Sequence, residues 1–129
     1  MVTQTSAARR EQAKRDYDVF LATCPSRQLL EMIGNKWVGL VLGSLESGSQ
    51  RHSAIARQIA GISQKMLTQT LRELERDGLV TRTVTLAVPV RVDYELTPLG
   101  QDLQAVVRPL KIWAEHNMDR ILEHRARAE

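Results

Sequence analysis

The fold of this chain is decided by residues 61–80, which read GISQKMLTQTLRELERDGLV. Leu67, Leu71 and Leu74 recur there at spacings of four and three residues, so they share one face of a predicted helix. An apolar stripe of this kind points into a core and leaves the opposite face to solvent or to a partner. We therefore predict an amphipathic helix over residues 64–77.

Both ends of this helix carry the residues that start and stop helices. Ser63 can cap its start, because a serine hydroxyl accepts an otherwise unpaired N–H of the first turn. Ile62 and Leu67 occupy the two positions of a hydrophobic staple at the same end. Gly78 can adopt the left-handed conformation that ends a helix.

The outward face of the predicted helix is polar and basic. Glutamine pairs well with adenine in the major groove of DNA, and arginine or lysine pairs well with guanine. Exposed helix faces also carry such residues simply for solubility, so the helix alone leaves both interpretations open. The candidate DNA-binding residues here are Ser63, Gln64, Lys65, Thr68, Gln69, Arg72 and Arg76.

A shorter helix is predicted just before this one, capped by Ser53 and ending at Ala60. Only a short turn that contains Gly61 separates the two helices, so residues 53–77 fit a helix-turn-helix. Any corner between two helices in an all-helical protein would give the same pattern. The segment that follows is therefore more informative.

Two strands are predicted after the helix pair. Residues 80–86 and 91–96 alternate apolar with polar side chains, which is the period of a strand. Pro89 cannot donate to a strand ladder, so it belongs in the loop between the strands. A hairpin directly after a helix-turn-helix is a wing, here expected over about residues 79–97. The predicted fold is thus α+β and mostly α: a winged helix-turn-helix.

The wing carries two arginines, Arg82 and Arg91. Both can reach DNA phosphate or the minor groove, and we include them among the candidate DNA-binding residues. Either can instead pair with Glu95 or Asp93 across the hairpin, because opposite charges on facing strands attract. The sequence leaves these two interpretations open.

The segments outside the winged core are predicted to be a tail and helices. Residues 1–12 are polar and expected to be disordered. A helix over about 13–22 follows, and we expect its apolar side, which is Tyr17, Phe20 and Leu21, to lie at the interface of a dimer. Two more helices are predicted, one from Pro25 to Gly34 and one from Lys36 to about Ser47.

A long helical region is predicted over about residues 98–125, with a break or kink near 107–108 because Pro109 lies inside it. Its apolar residues recur at spacings of three and four, and the stripe is long for a domain of this size. We expect it to pack on the N-terminal helices and on a second copy of the chain, as a two-fold dimer that reads a pseudo-palindromic operator. The candidate dimer residues on this stripe are Leu103, Val106, Leu110, Trp113, Asn117 and Ile121.

Length and composition agree with one compact DNA-binding domain, which we place at residues 13–129. The chain has 129 residues, 43% of them hydrophobic, and a formal net charge of +3. No secretory signal and no stretch long enough to span a bilayer is present, so we expect a soluble, cytoplasmic protein. His52 is far in sequence from His116 and His124, which stand eight residues apart in the last helical region, and no phosphate-binding loop or metal-ligand cluster appears. We therefore predict no catalytic site, no metal and no cofactor.

Several motifs resemble the HxlR family of bacterial transcription regulators, a branch of the MarR-like winged-helix proteins. They are Cys24-Pro25, Ile33-Gly34-Asn35-Lys36-Trp37, residues 61–67, residues 71–80 and residues 94–100. The resemblance implies a homodimer with terminal helices at its interface and the helix at 64–77 in the major groove. His52 departs from the phenylalanine or tyrosine that many members carry, and it either leaves a smaller core contact or reaches toward the DNA backbone.

Cys24 is the single cysteine, so an intrachain disulfide is impossible. It precedes Pro25 at a helix start, where free N–H groups and the helix dipole favour the reactive thiolate. The family resemblance implies that Cys24 can sense oxidants, quinones or aldehydes. The alternative is a small packing residue, since free cysteine is often buried.

Two further interpretations stay open. A small aromatic inducer could bind between the dimer helices, near Trp37, Trp113 or Met118, although these residues also suit a plain core. A winged helix can also bind a protein instead of DNA. The basic, glutamine-rich outer face of the helix at 64–77 disfavours that, because protein interfaces prefer aromatic anchors.

Overall fold

The computed structural model describes residues 5–18 and 24–128 of the chain, and of residues 13–18 it describes only the backbone. The chain divides into two compact units, residues 1–36 and residues 37–129. In chain order the elements are α1 (Ser6–Asp18), α2 (Pro25–Gly34), α3 (Lys36–Ser44), a 3-10 turn (Leu45–Ser47), α4 (His52–Gln58), α5 (Gln64–Arg76), β1 (Val80–Thr85), β2 (Arg91–Leu96) and α6 (Pro98–Ala128).

In the N-terminal unit, α1 begins at Ser6, so the expected disorder of residues 1–12 is wrong from that point onward. The Thr5 hydroxyl accepts the backbone N–H of Ala8 at 3.1 Å and caps the helix. Residues 7–14 are mostly alanine, arginine, glutamate, glutamine and lysine, which favour a helix without any apolar periodicity. The side chain of Tyr17 and the whole of Phe20 and Leu21 lie outside the described residues.

The second helix of this unit follows the prediction. Pro25 stands in its first turn, where a missing N–H costs nothing, and the helix ends at Gly34. Cys24 is the residue that precedes the first turn, and its carbonyl oxygen accepts the backbone N–H of Gln28 at 3.0 Å.

The larger unit is built around one aliphatic core, to which α3 and α5 each contribute three buried aliphatic residues and the 3-10 turn, α4, β1 and β2 contribute one each. The Leu67, Leu71 and Leu74 stripe of α5 lies in this core, as its spacing predicts. The buried hydrophobic residues are Val38, Val41, Leu42, Leu45, Ile55, Ile59, Leu67, Leu71, Leu74, Leu79, Val80 and Leu96.

The start of α4 differs from the prediction. Ser53 lies inside the helix, which begins at His52 with Arg51 in the capping position. The chain ahead of α4 is fixed by Gln50, whose backbone exchanges two hydrogen bonds with Tyr94 of β2, at 2.9 and 2.8 Å. Because this bridge sets where the extended chain ends, the helix starts before the serine.

The hairpin forms as predicted, with β1 and β2 antiparallel and Pro89 in the connecting loop. Its register pairs Val80 with Leu96 and Arg82 with Tyr94. This sheet of two strands, directly after the helix pair α4–α5, completes a mostly α winged helix-turn-helix.

The last helix runs without interruption over 31 residues, so of the break or kink expected near residues 107–108 the break is wrong, and the kink stays a prediction. A proline removes one backbone hydrogen bond, and the many remaining bonds of a helix this long keep it continuous. Gly100 and Gln104, both near its start, are its buried residues among those described. A side chain at Gly100 would overlap the backbone carbonyl of Leu79, so glycine lets α6 approach the core closely.

Candidate nucleic-acid interface

The helix α5 is held in place by its cap and its buried stripe. The backbone N–H of Met66 donates to Ser63 Oγ at 3.1 Å, which confirms the predicted cap. At the other end Gly78 has a φ of 76°, the left-handed conformation predicted for it. With both ends and the inner face fixed, the outer face of α5 is presented rigidly to solvent.

That outer face forms a shallow, open depression. Five of the nine predicted DNA-binding residues line it together: Gln64, Lys65, Thr68, Gln69 and Arg72. Their amide, hydroxyl, ammonium and guanidinium groups can donate hydrogen bonds, and the amide and hydroxyl oxygens can also accept them. This mixture matches the donors and acceptors on base edges in a major groove.

A second depression joins α5 to the wing. It is lined by Thr68, Leu71, Arg72 and Glu75 of α5 with Arg82 and Tyr94 of the hairpin. Side chains alternate between the two faces of a strand. Arg82 is therefore on the opposite face from Thr81 and on the same face as Tyr94, its partner on the other strand. Thr68 and Arg72 border both depressions, so the two form one continuous surface. Glu75 and Tyr94 are not among the residues predicted for this surface, because no local sequence pattern relates the helix to the strand.

The other predicted arginines are held by neighbouring carboxylates. Arg76 pairs with Asp77 at 3.3 Å, and Arg91 pairs with Asp93 at 2.9 Å. Asp93 is one of the two carboxylate partners expected for Arg91, but it lies two residues along the same strand and not across the hairpin. The register explains this, because Thr85 stands opposite Arg91 and Thr83 opposite Asp93. Arg82 makes no ion pair with any residue that the structure describes. Asp93 and Glu95 alternate with Tyr94 along β2, so they are on the face of the hairpin opposite to that of Arg82.

His52 lies beside the candidate interface and contacts Thr68 of α5 there. Its Nε2 is 3.1 Å from Oγ1 of Thr68, so the first helix of the pair contacts the second at the junction of the two depressions. Neither of the expectations for His52, a core contact or a reach toward the DNA backbone, includes this contact. The two residues are too far apart in sequence for spacing to reveal it.

The predicted stripe on α6 is partly exposed. Val106, Leu110 and Trp113 have 63%, 58% and 55% of their surface exposed, whereas Leu103 and Ile121 are half-buried. Asn117 is half-buried and donates from Nδ2 to the carbonyl oxygen of Trp113 at 2.9 Å, within its own helix. Exposed aliphatic and aromatic residues at this spacing form a surface that suits an apolar partner.

A small depression also lies on α6, between Trp113, Asn117, Arg120, Ile121 and His124. Trp37 and Met118, which we expected near a ligand site, are not among the described residues that line it.

Cys24 is half-buried and is not in a disulfide. Among the described residues no cluster of histidine, cysteine, aspartate or glutamate has the arrangement of a metal site. No helix in the described ranges is long and apolar enough to cross a membrane.

The helix pair, the wing and the polar outer face of α5 define a winged helix-turn-helix protein, a class of DNA-binding transcription regulators. The model of the HxlR-like helix-turn-helix family matches residues 32–122, and the chain belongs to that family. The protein is therefore a transcriptional regulator with a helix-turn-helix.

Similar proteins agree with this assignment. The HTH-type transcriptional regulator YtfH of Escherichia coli is 39% identical over 111 residues, which cover 86% of this chain and 88% of the relative. The structure of the regulator YtfH of Salmonella typhimurium matches with a TM-score of 0.75 at 39% identity, over 84% of this chain and 96% of that one. The redox regulator HypR matches in its reduced form with a TM-score of 0.72 at 39% identity, over 77% of this chain and 98% of that one.

Proposed function

We propose that this regulator binds a pseudo-palindromic operator as a homodimer, with α5 in the major groove and the wing beside it. The observation that carries the proposal is the continuous polar and basic surface formed by α5 and the hairpin. Lys65, Arg72 and Arg82 are exposed on it, and none makes an ion pair with a described residue. Exposed cations of this kind can neutralise phosphate and release counterions.

The residues of this surface would divide into two roles. Gln64, Gln69 and Arg72 point outward from α5, as base reading requires, since glutamine suits adenine and arginine suits guanine. Ser63 at the helix start, Lys65 and Arg82 suit phosphate oxygens. Arg76 and Arg91 would join as phosphate contacts only by exchanging Asp77 and Asp93 for the DNA backbone.

The exposed stripe on α6 supports the homodimer. Burial of Val106, Leu110 and Trp113 against a second copy would remove apolar surface from water. A two-fold dimer would present two α5 helices to successive major grooves, about 34–36 Å apart. DNA sites with that half-site spacing should therefore bind best.

We also infer a thiol switch at Cys24. Two observations support it: the thiol stands directly before the first turn of α2, and the chain is similar to HypR, a redox regulator with solved oxidised and reduced forms. With one cysteine per chain, oxidation would form a disulfide with the other subunit or with a small thiol, and the oxidant would take up two electrons and two protons. A quinone would instead add the thiol as a thioether of its hydroquinone form, and an aldehyde would add it as a hemithioacetal, with the thiol proton transferred to the carbonyl oxygen in both cases. Each of these products would change the separation of the two α5 helices and so lower operator affinity.

The test is fluorescence anisotropy of the reduced full-length protein on labelled DNA from upstream of its own gene, over a salt series. Salt-dependent binding that exceeds binding to random DNA would support the DNA proposal. Binding that collapses after diamide or quinone treatment, but persists in Cys24→Ser, would support the switch. Tight binding that is indifferent to treatment would remove the switch and leave a small aromatic inducer as the alternative. If a genomic selection yields no preferred site, operator binding itself is wrong.

A further inference from the structure

A contact between the two helices of the helix-turn-helix lies at the proposed DNA-binding surface. His52, the first residue of α4, places Nε2 at 3.1 Å from Oγ1 of Thr68 on α5. Both residues are half-buried, so each is held by its neighbours and still borders solvent. Thr68 lines both the depression on α5 and the depression between α5 and the wing. Its hydroxyl therefore lies where a base edge would enter.

Thr70, a second threonine of α5, forms a different hydrogen bond and serves as a comparison for the contact between His52 and Thr68. Thr70 is buried, and its hydroxyl donates to the carbonyl oxygen of Met66 at 2.8 Å, one turn earlier. The hydroxyl hydrogen of Thr70 is thus already donated within its own helix, as is common for helical threonine. Thr68 instead meets a ring nitrogen from another helix. The direction of that bond decides what its hydroxyl can offer to DNA.

A threonine hydroxyl has one hydrogen to donate and two lone pairs that accept. Nε2 of histidine carries a hydrogen in one neutral tautomer and in the protonated ring. In both forms Nε2 donates to Oγ1 of Thr68, which leaves the Thr68 hydrogen for a group in the groove. The acceptors available there are guanine O6 and N7, adenine N7 and thymine O4.

We propose that His52 is a specificity-positioning residue, which holds the Thr68 hydroxyl as a donor toward a base acceptor. The inference rests on the proposed operator binding and deepens it, because it assigns one base preference to one pair of side chains. His52 itself need not touch DNA. In the reverse arrangement the ring would accept the Thr68 hydrogen, and Thr68 could only accept from the amino group of adenine or cytosine.

The experiment is selection from a duplex library with a randomised centre, using four full-length proteins: the native chain, Thr68→Val, His52→Phe and His52→Gln. Thr68→Val keeps the side-chain shape and removes the hydroxyl, so the position at which it loses preference is the Thr68 position. His52→Phe removes the ring nitrogen and keeps a planar ring. His52→Gln restores a donor at a similar reach, which a merely structural role of the ring would not require.

At the DNA position that Thr68 contacts, we expect the native chain to prefer a base that presents an acceptor. The preference should be about threefold to tenfold, which is the range of one net hydrogen bond. Thr68→Val and His52→Phe should lose this preference, and His52→Gln should regain it. A fifth protein that combines Thr68→Val with His52→Phe should match Thr68→Val, because both changes remove the same contact. Substituting 7-deazaguanine or 7-deazaadenine should abolish the preference where N7 is the acceptor.

The inference is overturned if His52→Phe keeps the native base preference, or if the preferred partner at that position is an amino group. It is also overturned if Thr68→Val changes no preference. Circular dichroism melting of each variant checks the fold, and if His52→Phe does not fold, Thr68→Val with His52→Gln still decides the question. A native chain that selects no sequence at all would instead show that the proposed operator binding is wrong.

Discussion

Helices α5 and α6 have the same apolar periodicity, but they differ in how much of their apolar stripe is buried. The apolar stripe of α5 is covered by its own chain, and its outward face carries amide, hydroxyl and cationic groups. The stripe of α6 stays largely in solvent along Val106, Leu110 and Trp113. Spacing alone therefore shows that a helix has an apolar face, whereas burial shows whether the chain covers that face itself. We infer that α5 has a polar partner and α6 an apolar one.

The largest expected effect is on the inner stripe of α5. Leu71 is 1% exposed, so Leu71→Ala should lower the free energy of unfolding by about 2–5 kcal/mol through lost contacts and a cavity. Urea denaturation at two protein concentrations would measure it, and the loss should be the same at both because the core is internal to one chain. Gln69→Ala, on the outward face, should stay within about 0.5 kcal/mol. A loss below about 1 kcal/mol for Leu71→Ala would contradict this assignment of the core.

The next effect concerns α6 and should depend on association. Leu110→Asp places a charge in the exposed stripe, so the dissociation constant of the dimer should rise at least about 100-fold, or about 2.7 kcal/mol. Sedimentation equilibrium would measure it. Gln101→Asp, an exposed position near the start of the same helix, adds the same charge and should leave the dimer intact. If Leu110→Asp associates like the native chain, α6 is not the dimer surface.

A third prediction separates base reading from phosphate binding on the outer face of α5. Arg72→Ala should weaken operator binding by about 1–3 kcal/mol, because Arg72 borders both depressions of the surface. Anisotropy on operator and on random DNA would measure it. Loss on operator alone indicates base reading, and equal loss on both indicates a phosphate contact. Arg125→Ala, near the C-terminal end of α6, should change neither value.

The smallest effect is on the cap of α5. Ser63→Ala removes the acceptor for the N–H of Met66 and should cost about 1 kcal/mol of stability. Ser63→Asp keeps a capping oxygen, so it should keep the stability, but its negative charge should weaken DNA binding by repelling phosphate. Thermal melts and anisotropy on the same samples would separate the two effects. A variant Ser63→Asp that binds operator normally would place this helix end away from the DNA backbone.

Sequence patterns predicted those parts of the fold that depend on neighbours along the chain. The ends of α5, the Ser63 cap, the left-handed Gly78 and the loop position of Pro89 all follow from local backbone chemistry. Three local predictions were wrong because another interaction outweighed the sequence pattern. Good helix formers extended α1 back to Ser6, the bonds of a long helix outweighed Pro109, and the bridge from Gln50 moved the start of α4 ahead of Ser53.

The tertiary structure alone decided the contacts between residues far apart in the chain. The bridge from Gln50 to Tyr94, the hydrogen bond from Gln104 to Glu46 and the contact of His52 with Thr68 join different elements. The register likewise turned Arg82 toward α5 and Arg91 toward Asp93. By itself the sequence determined the helices, the wing and the family, because periodicity and capping act over a few residues. Which side chains meet at the surface formed by α5 and the wing was settled by packing, because only the folded core fixes one element against another.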